Sequence, residues 1–168
     1  MGENNHSNDS YKLLTLSELS QQEPEVYGKL LIKCEWQTEY DFAFLHKEGE
    51  ELPGIIKDLL EMAGKWPDKY GRLLVSIKLQ LSKKGPLCNE TRVRPWKSSK
   101  EGKTEIYEFK SSAGLGLRLF FFFHEEKVIV CTHAWVKDNE KKKKEQSRQF
   151  EHAAMLRALF VENDANDN

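Results

Sequence analysis

Hydrophobic and polar positions change their spacing several times along the chain, and each change marks an element. Thr15-x-x-Glu18 is a capping-box pattern ahead of a short helical turn that Pro24 ends. From Lys29 the pattern alternates: Leu30, Ile32, Cys34 and Trp36 fall on one side and Lys33 and Glu35 on the other, which predicts a strand. Tyr40 to Leu45 fits either a strand or the lead into a helix. Pro53 stands near the first position of a helix whose Ile55, Ile56, Leu59, Leu60 and Ala63 form an apolar stripe, with Gly64 able to cap its end. Pro67 and Asp68 open a second helix with Leu73, Leu74, Ile77 and Leu81 on its stripe, stopped by Gly85-Pro86. Two helices so closely joined predict an antiparallel hairpin. The loop LCNETRVRPWKSSKEGK follows, extended near Arg94 because Pro95 disfavours a helical residue before it.

Three strands are then expected in quick succession, Glu105 to Lys110, Leu115 to Phe123 and Val128 to Trp135. A Lys-rich helix from about Asn139 to Phe160 follows, burying Phe150, Ala153, Ala154 and Leu159. The fold class is therefore α+β: a small antiparallel or mixed β-sheet with an N-terminal helical hairpin and a C-terminal helix packed on it. His124 to Lys127 is the turn-like break between the last two strands, so they form a β-hairpin. With Glu125-Glu126 as the turn, Phe123 pairs with Val128 and Arg118 stands opposite His133. Alternation then puts Arg118, Phe120, Phe122, Ile129, Cys131 and His133 on one side, and Leu119, Phe121, Phe123, Val128 and Val130 on the other. Both sides are apolar in mid-strand, as in a strand buried between layers. The four consecutive phenylalanines are core, and they hold an arginine and a histidine at one end of the sheet.

Composition refines this outline at three points. One hundred and sixty-eight residues suit one domain, read as residues 50–160, preceded by a leader (11–49) carrying the first strand. The Asn- and Asp-rich ends, 1–10 and 161–168, have nothing to bury and are expected to be mobile. The apolar run is far short of the roughly twenty residues of a membrane span, and no signal peptide opens the chain, so a cytoplasmic location without membrane contact is expected. Cys34, Cys88 and Cys131 are widely spaced and suit a reducing compartment. The net charge of −1 conceals segregation: Lys69 to Arg148 holds 19 Lys and Arg against 9 Asp and Glu, and the remainder 7 against 18. A cationic segment of that size suits a phosphate-bearing partner. It equally suits solvated faces on long charged helices.

The histidines lack the spacing of a zinc site, and no phosphate-binding glycine loop, nucleophile elbow or carboxylate pair occurs, so neither metal nor cofactor is expected. An isolated His near a strand end also fits a hydrogen-bonded structural residue, and an Arg opposite it can simply meet a glutamate.

The ordered motifs resemble the RelE/HigB superfamily of toxins, in particular the phage-related HigB-like branch, over about residues 50 to 155. The resemblance rests on LSKKGPL (Leu81 to Leu87), IYEFK (Ile106 to Lys110), LRLFFFF (Leu117 to Phe123) and VIVCTHAWVKD (Val128 to Asp138), followed by a helix with an Ala at 153 or 154. It implies a small cytoplasmic toxin of a type II toxin–antitoxin pair that enters the ribosome and cuts mRNA without metal. The partners implied are the mRNA, the ribosome and an antitoxin of helix-turn-helix type. In such a reaction a 2′-hydroxyl attacks the neighbouring phosphate while cationic side chains stabilise the charged transition state.

By position, the resemblance makes Lys110, Arg118, His133 and Lys137 the catalytic set, with Arg118 on the phosphate and His133 moving protons. Arg92, Arg94, Lys97, Lys141, Lys142, Lys143 and Lys144 would hold the RNA backbone. The alternative is a RelE-fold protein that has lost cleavage and works as an RNA-binding or protein-interaction module. The leader is either additional strand and helix on the same sheet or an intramolecular cover. The nuclease reading requires the guanidinium and the imidazole to share one face, open to solvent; an interior position for either removes its basis.

Overall fold

The structure is a computed structural model and describes residues 10–30, 40–81, 93–95, 106–112, 114–125, 127–139 and 143–166. The strands are Tyr11–Thr15 (β1), Asp41–Lys47 (β2), Val93–Pro95 (β3), Tyr107–Lys110 (β4), Gly116–His124 (β5) and Val128–Lys137 (β6). The helices are Leu16–Gln22 (α1), Pro24–Leu30 (α2), Gly54–Lys65 (α3), Pro67–Leu81 (α4) and Lys143–Asn166 (α5). One six-stranded sheet runs β1-β2-β6-β5-β4-β3. It is mixed, because β2 lies parallel to β6 while the other neighbours are antiparallel. The α+β expectation holds.

The leader belongs to the sheet. β1 and β2 extend it beyond β6, which decides between the two roles left open for this segment. Thr15 caps α1 reciprocally with Glu18: the Glu18 N–H donates to Thr15 Oγ1 at 3.1 Å and the Thr15 N–H to Glu18 Oε2 at 2.8 Å. Pro24 ends α1 and also opens α2, since its fixed φ suits a first helical position. The strand expected from Lys29 is corrected here, because Lys29 and Leu30 close α2; Ile32, Cys34 and Trp36 lie outside the described residues. Leu30 is fully buried, and its carbonyl accepts from Tyr70 Oη at 2.6 Å, tying the leader to α4. The ambiguous stretch from Tyr40 resolves as β2.

The helical hairpin forms as expected, with two adjustments at its joints. Pro53 is the cap rather than the first helical residue, and Gly64 lies inside α3, so that Trp66 alone separates α3 from α4. α3 and α4 cover one face of the sheet, burying Ile55, Ile56, Leu59, Met62, Tyr70, Leu73 and Ile77 against Phe42, Phe44, Phe109, Leu119, Phe121, Ile129 and Cys131. α5 covers the opposite face with Phe150, Ala153, Leu156 and Phe160 against Leu45, Ile106, Phe120, Phe122 and Val130. The sheet is thus enclosed on both faces, which explains why β5 is apolar at successive positions. α5 starts at Lys143 and continues to Asn166, so residues 161–166 are helical where a mobile end was expected.

The hairpin of β5 and β6 forms in a different register from the one expected. Glu125 adopts a left-handed φ of 53°, and His124 pairs with Val128, Phe123 with Ile129 and Phe121 with Cys131. A shift of one pair moves Ile129 and Cys131 to the side of Leu119 and Phe121, and Val128 and Val130 to the side of Phe120 and Phe122. A bulge then intervenes: beyond Phe120/Phe121 the partners are Phe120 with His133, Leu119 with Ala134 and Arg118 with Trp135. The extra residue, Thr132, restores the alternation. His133 and Arg118 therefore do share a face, although they do not pair.

Candidate functional site

The four residues of the expected catalytic set converge beneath α5. Lys110 pairs with Arg118 across β4 and β5, and Arg118 with Trp135 across β5 and β6. The neighbouring row on the same face reads Glu108, Phe120, His133, and Lys137 lies beyond Trp135, opposite Gly116. Alternation had put Arg118 and His133 on one face and the resemblance added Lys110 and Lys137; the structure brings all four to the same side of the sheet.

Their exposure differs from what cleavage requires. Arg118 is 1% exposed and Glu108, 3.8 Å from its Nε, is fully buried. The guanidinium turns back toward the β4–β5 connection, donating from Nη1 to the Leu117 carbonyl at 3.1 Å and from Nη2 to the Gly114 carbonyl. The backbone beside it needs a glycine: Gly116 has a φ of +142°, and a Cβ there would collide with Ser111 Oγ. The expectation that Arg118 stands open to solvent is therefore corrected. Desolvating a guanidinium is expensive unless a carboxylate and carbonyls receive it, and here they do. Lys110 is likewise buried.

His133 is half-buried and stacks on Phe120 with ring centroids 4.7 Å apart. Its Nδ1 lies 3.1 Å from Thr132 Oγ1 and its Nε2 2.9 Å from Gln149 Oε1. Gln149 in turn donates to Glu145 Oε1 at 3.0 Å, which orients the amide and suits a neutral imidazole with its proton on Nε2. His152 meets the ring edge-on at 4.8 Å. Burial foremost and the neighbouring His152 next push the His133 pKa down to about 4, against the pull of the Gln149 hydrogen bond. The imidazole is neutral near pH 7, and with Nε2 donating to Gln149 the nitrogen left to accept a proton is Nδ1, beside Thr132 Oγ1.

Lys137 donates from Nζ to Gln146 Oε1 at 3.1 Å, while Gln146 Nε2 donates to both Glu108 oxygens, at 2.9 and 3.1 Å. One α5 glutamine therefore joins the carboxylate under Arg118 to the lysine at the rim. Three members of this cluster, Glu108, Gln146 and Gln149, escaped sequence reasoning. A signal existed for Glu108, which lies two residues from Lys110 on the same strand and hence on the same face.

Of the expected RNA-binding residues, Lys144 is exposed on α5, Lys143 opens that helix and Arg94 lies in β3. Arg92, Lys97, Lys141 and Lys142 lie outside the described residues. Among the described residues no three His, Cys, Asp or Glu side chains gather closely enough to hold a metal ion. No described helix is long and apolar enough to cross a membrane. Cys131 is fully buried and its thiol pKa is pushed well up by desolvation, which makes it an inert core residue.

Residues 64–157 match the family described as Phage derived protein Gp49-like (DUF891), a span of more than half the chain. The chain belongs to this family. It is a RelE-like, toxin-type family, and the matched span runs from the end of α3 into α5, enclosing every residue of the cluster beneath that helix. No curated protein and no solved structure matches the chain.

Proposed function

We propose that this Gp49-like protein is the toxin-type member of a toxin–antitoxin pair and that, in the closed arrangement described, it acts as a binding module that does not cleave RNA. The observation that carries this reading is the seal over Arg118. A guanidinium 1% exposed and set against Glu108 is not available to a phosphate, and the neighbouring His133 and Lys137 are held by Gln149 and Gln146. The partners that fit are a small antitoxin, as membership of a toxin-type family suggests, and RNA backbone drawn by the cationic segment.

A second reading is favoured by a different observation, the convergence of Lys110, Arg118, His133 and Lys137 on one face. It is a HigB-type, ribosome-dependent mRNA endoribonuclease in the cytoplasm, in which a 2′-hydroxyl attacks the adjacent phosphate, a freed His133 takes its proton, Lys137 neutralises charge, and the P–O5′ bond breaks to leave a 2′,3′-cyclic phosphate and a 5′-hydroxyl protonated by water. This chemistry requires α5 to move.

Induction of the chain alone in a host lacking its neighbouring gene, with mapping of mRNA 5′ ends, separates the two. Unchanged growth and intact transcripts, together with co-purification of a small partner, are expected for the binding module. Growth arrest with mapped cuts that disappear in His133→Ala would replace it with the nuclease.

A further inference from the structure

The two ends of α5 hold the sheet by different chemistry. Toward its C-terminus the seam is apolar, with Phe150, Ala153, Leu156 and Phe160 packed on Phe120, Phe122 and Val130. Toward its N-terminus the seam is polar, consisting of Gln146 on Glu108 and Lys137, Gln149 on His133 and His152 edge-on to the same ring. The first turn is also the poorer end of the helix. Lys143 and Lys144 stand at the positive pole of the helix dipole with Glu145 as the acidic residue there. A hydrogen-bonded amide seam contributes modestly to docking, because each amide exchanges water for a protein partner.

We propose that the N-terminal half of α5, Lys143 to about His152, is an acid-releasable cover over the cationic sheet face, with His133 as the group whose protonation lifts it. The proton finds no welcome in the closed arrangement. Burial withholds water from the ring, and the added charge would face a predominantly cationic surface. From α5 come His152 and, through Gln149, Glu145; from β5, Arg118; from β4, Lys110 and Glu108. β6 adds Lys137 itself, β2 adds Lys47 by alternation, and β1 adds Tyr11. Glu108, the carboxylate among the sheet residues, is already engaged by Gln146 and Arg118.

Once α5 withdraws, the imidazole meets water and titrates near its ordinary value of 6.5, against about 4 when covered. A group with its pKa lowered in the closed state binds protons more readily in the open one, so closure weakens as pH falls from about 6.5 toward 4. By linkage the closed-to-open ratio falls about twentyfold between pH 7 and pH 5. The inference does not rest on the binding-module reading, since it concerns helix docking and not RNA.

Amide hydrogen–deuterium exchange on the full chain at pH 7 and pH 5, expressed as protection factors, tests it, with α3 as the internal reference. Protection of residues 146–152 is expected to drop about twentyfold at pH 5 while α3 is unchanged. The drop should vanish in His133→Phe, which keeps the stack on Phe120, and in His133→Asn if the first variant does not fold; it should persist in His152→Gln. Equal protection of α5 at both pH values overturns the proposal. So does an equal loss in α3, which would mean global unfolding, or a drop that survives in the His133 variants.

Discussion

The two faces of the sheet are built from the same strands by different rules. On the hairpin side Phe109 and Phe121 stack with centroids 4.1 Å apart, Tyr107 stacks on Phe121 at 5.4 Å, and the seam with α3 and α4 is mainly apolar, with the buried Ser76 hydroxyl donating to the Lys110 carbonyl. On the α5 side a comparable aromatic group, Phe120, Phe122 and Phe150, gives way at one end to a guanidinium, a carboxylate, two lysines and an imidazole. The hairpin face draws its stability from area removed from water, which needs only volume and shape. The α5 face depends on each polar group finding its partner, since a buried group left alone is penalised heavily. That contrast marks the α5 face as the place where this fold gives up stability for something other than packing.

The largest expected effect lies on the hairpin face. Phe121→Ala removes a ring enclosed by Phe109, Tyr107 and Phe123 and should cost about 4 kcal/mol in chemical denaturation. On the α5 face Glu108→Ala leaves Arg118 buried without its carboxylate, with an expected loss of about 3 kcal/mol. Glu108→Leu combined with Arg118→Met and Gln146→Leu should recover most of that loss, because well-packed apolar side chains then replace the buried ion pair together with the amide that Glu108 receives. If the triple variant is as unstable as the single one, the contrast between the faces fails. Gln146→Ala deprives Lys137 and Glu108 of one amide and should cost about 1–2 kcal/mol in the same assay. Thr15→Ala lies outside both seams and sets the scale of an ordinary local defect, about 1 kcal/mol for a lost helix cap.

How far the sequence disclosed this arrangement depended on whether a signal was local. The Thr15 cap, the α3 and α4 stripes and the break at His124 to Lys127 are local, and all appear in the structure. Leu30 was misread because a short apolar–polar alternation also fits the last turn of a helix. The hairpin register failed because turn geometry sets it, and no residue type announces the extra unit at Thr132. The site was half legible. Alternation gathered Arg118 and His133 and the family resemblance added Lys110 and Lys137, whereas exposure depends on what packs above them, and the pairing of Gln146 with Glu108 spans 38 residues. The mundane possibility that an arginine opposite a polar strand end meets a glutamate proved correct for Arg118.

The unpaired position at Thr132 has a larger effect than its size suggests. Without it, everything from His133 to Lys137 would exchange compartments, sending the imidazole and the lysine among the aromatic rings under α3 and delivering Ala134 and Val136 to the glutamines of α5. The chemical identity of the chamber beneath the last helix thus hangs on one peptide unit. Shortening this strand by a single residue would erase that chamber more thoroughly than replacing any of the side chains that line it.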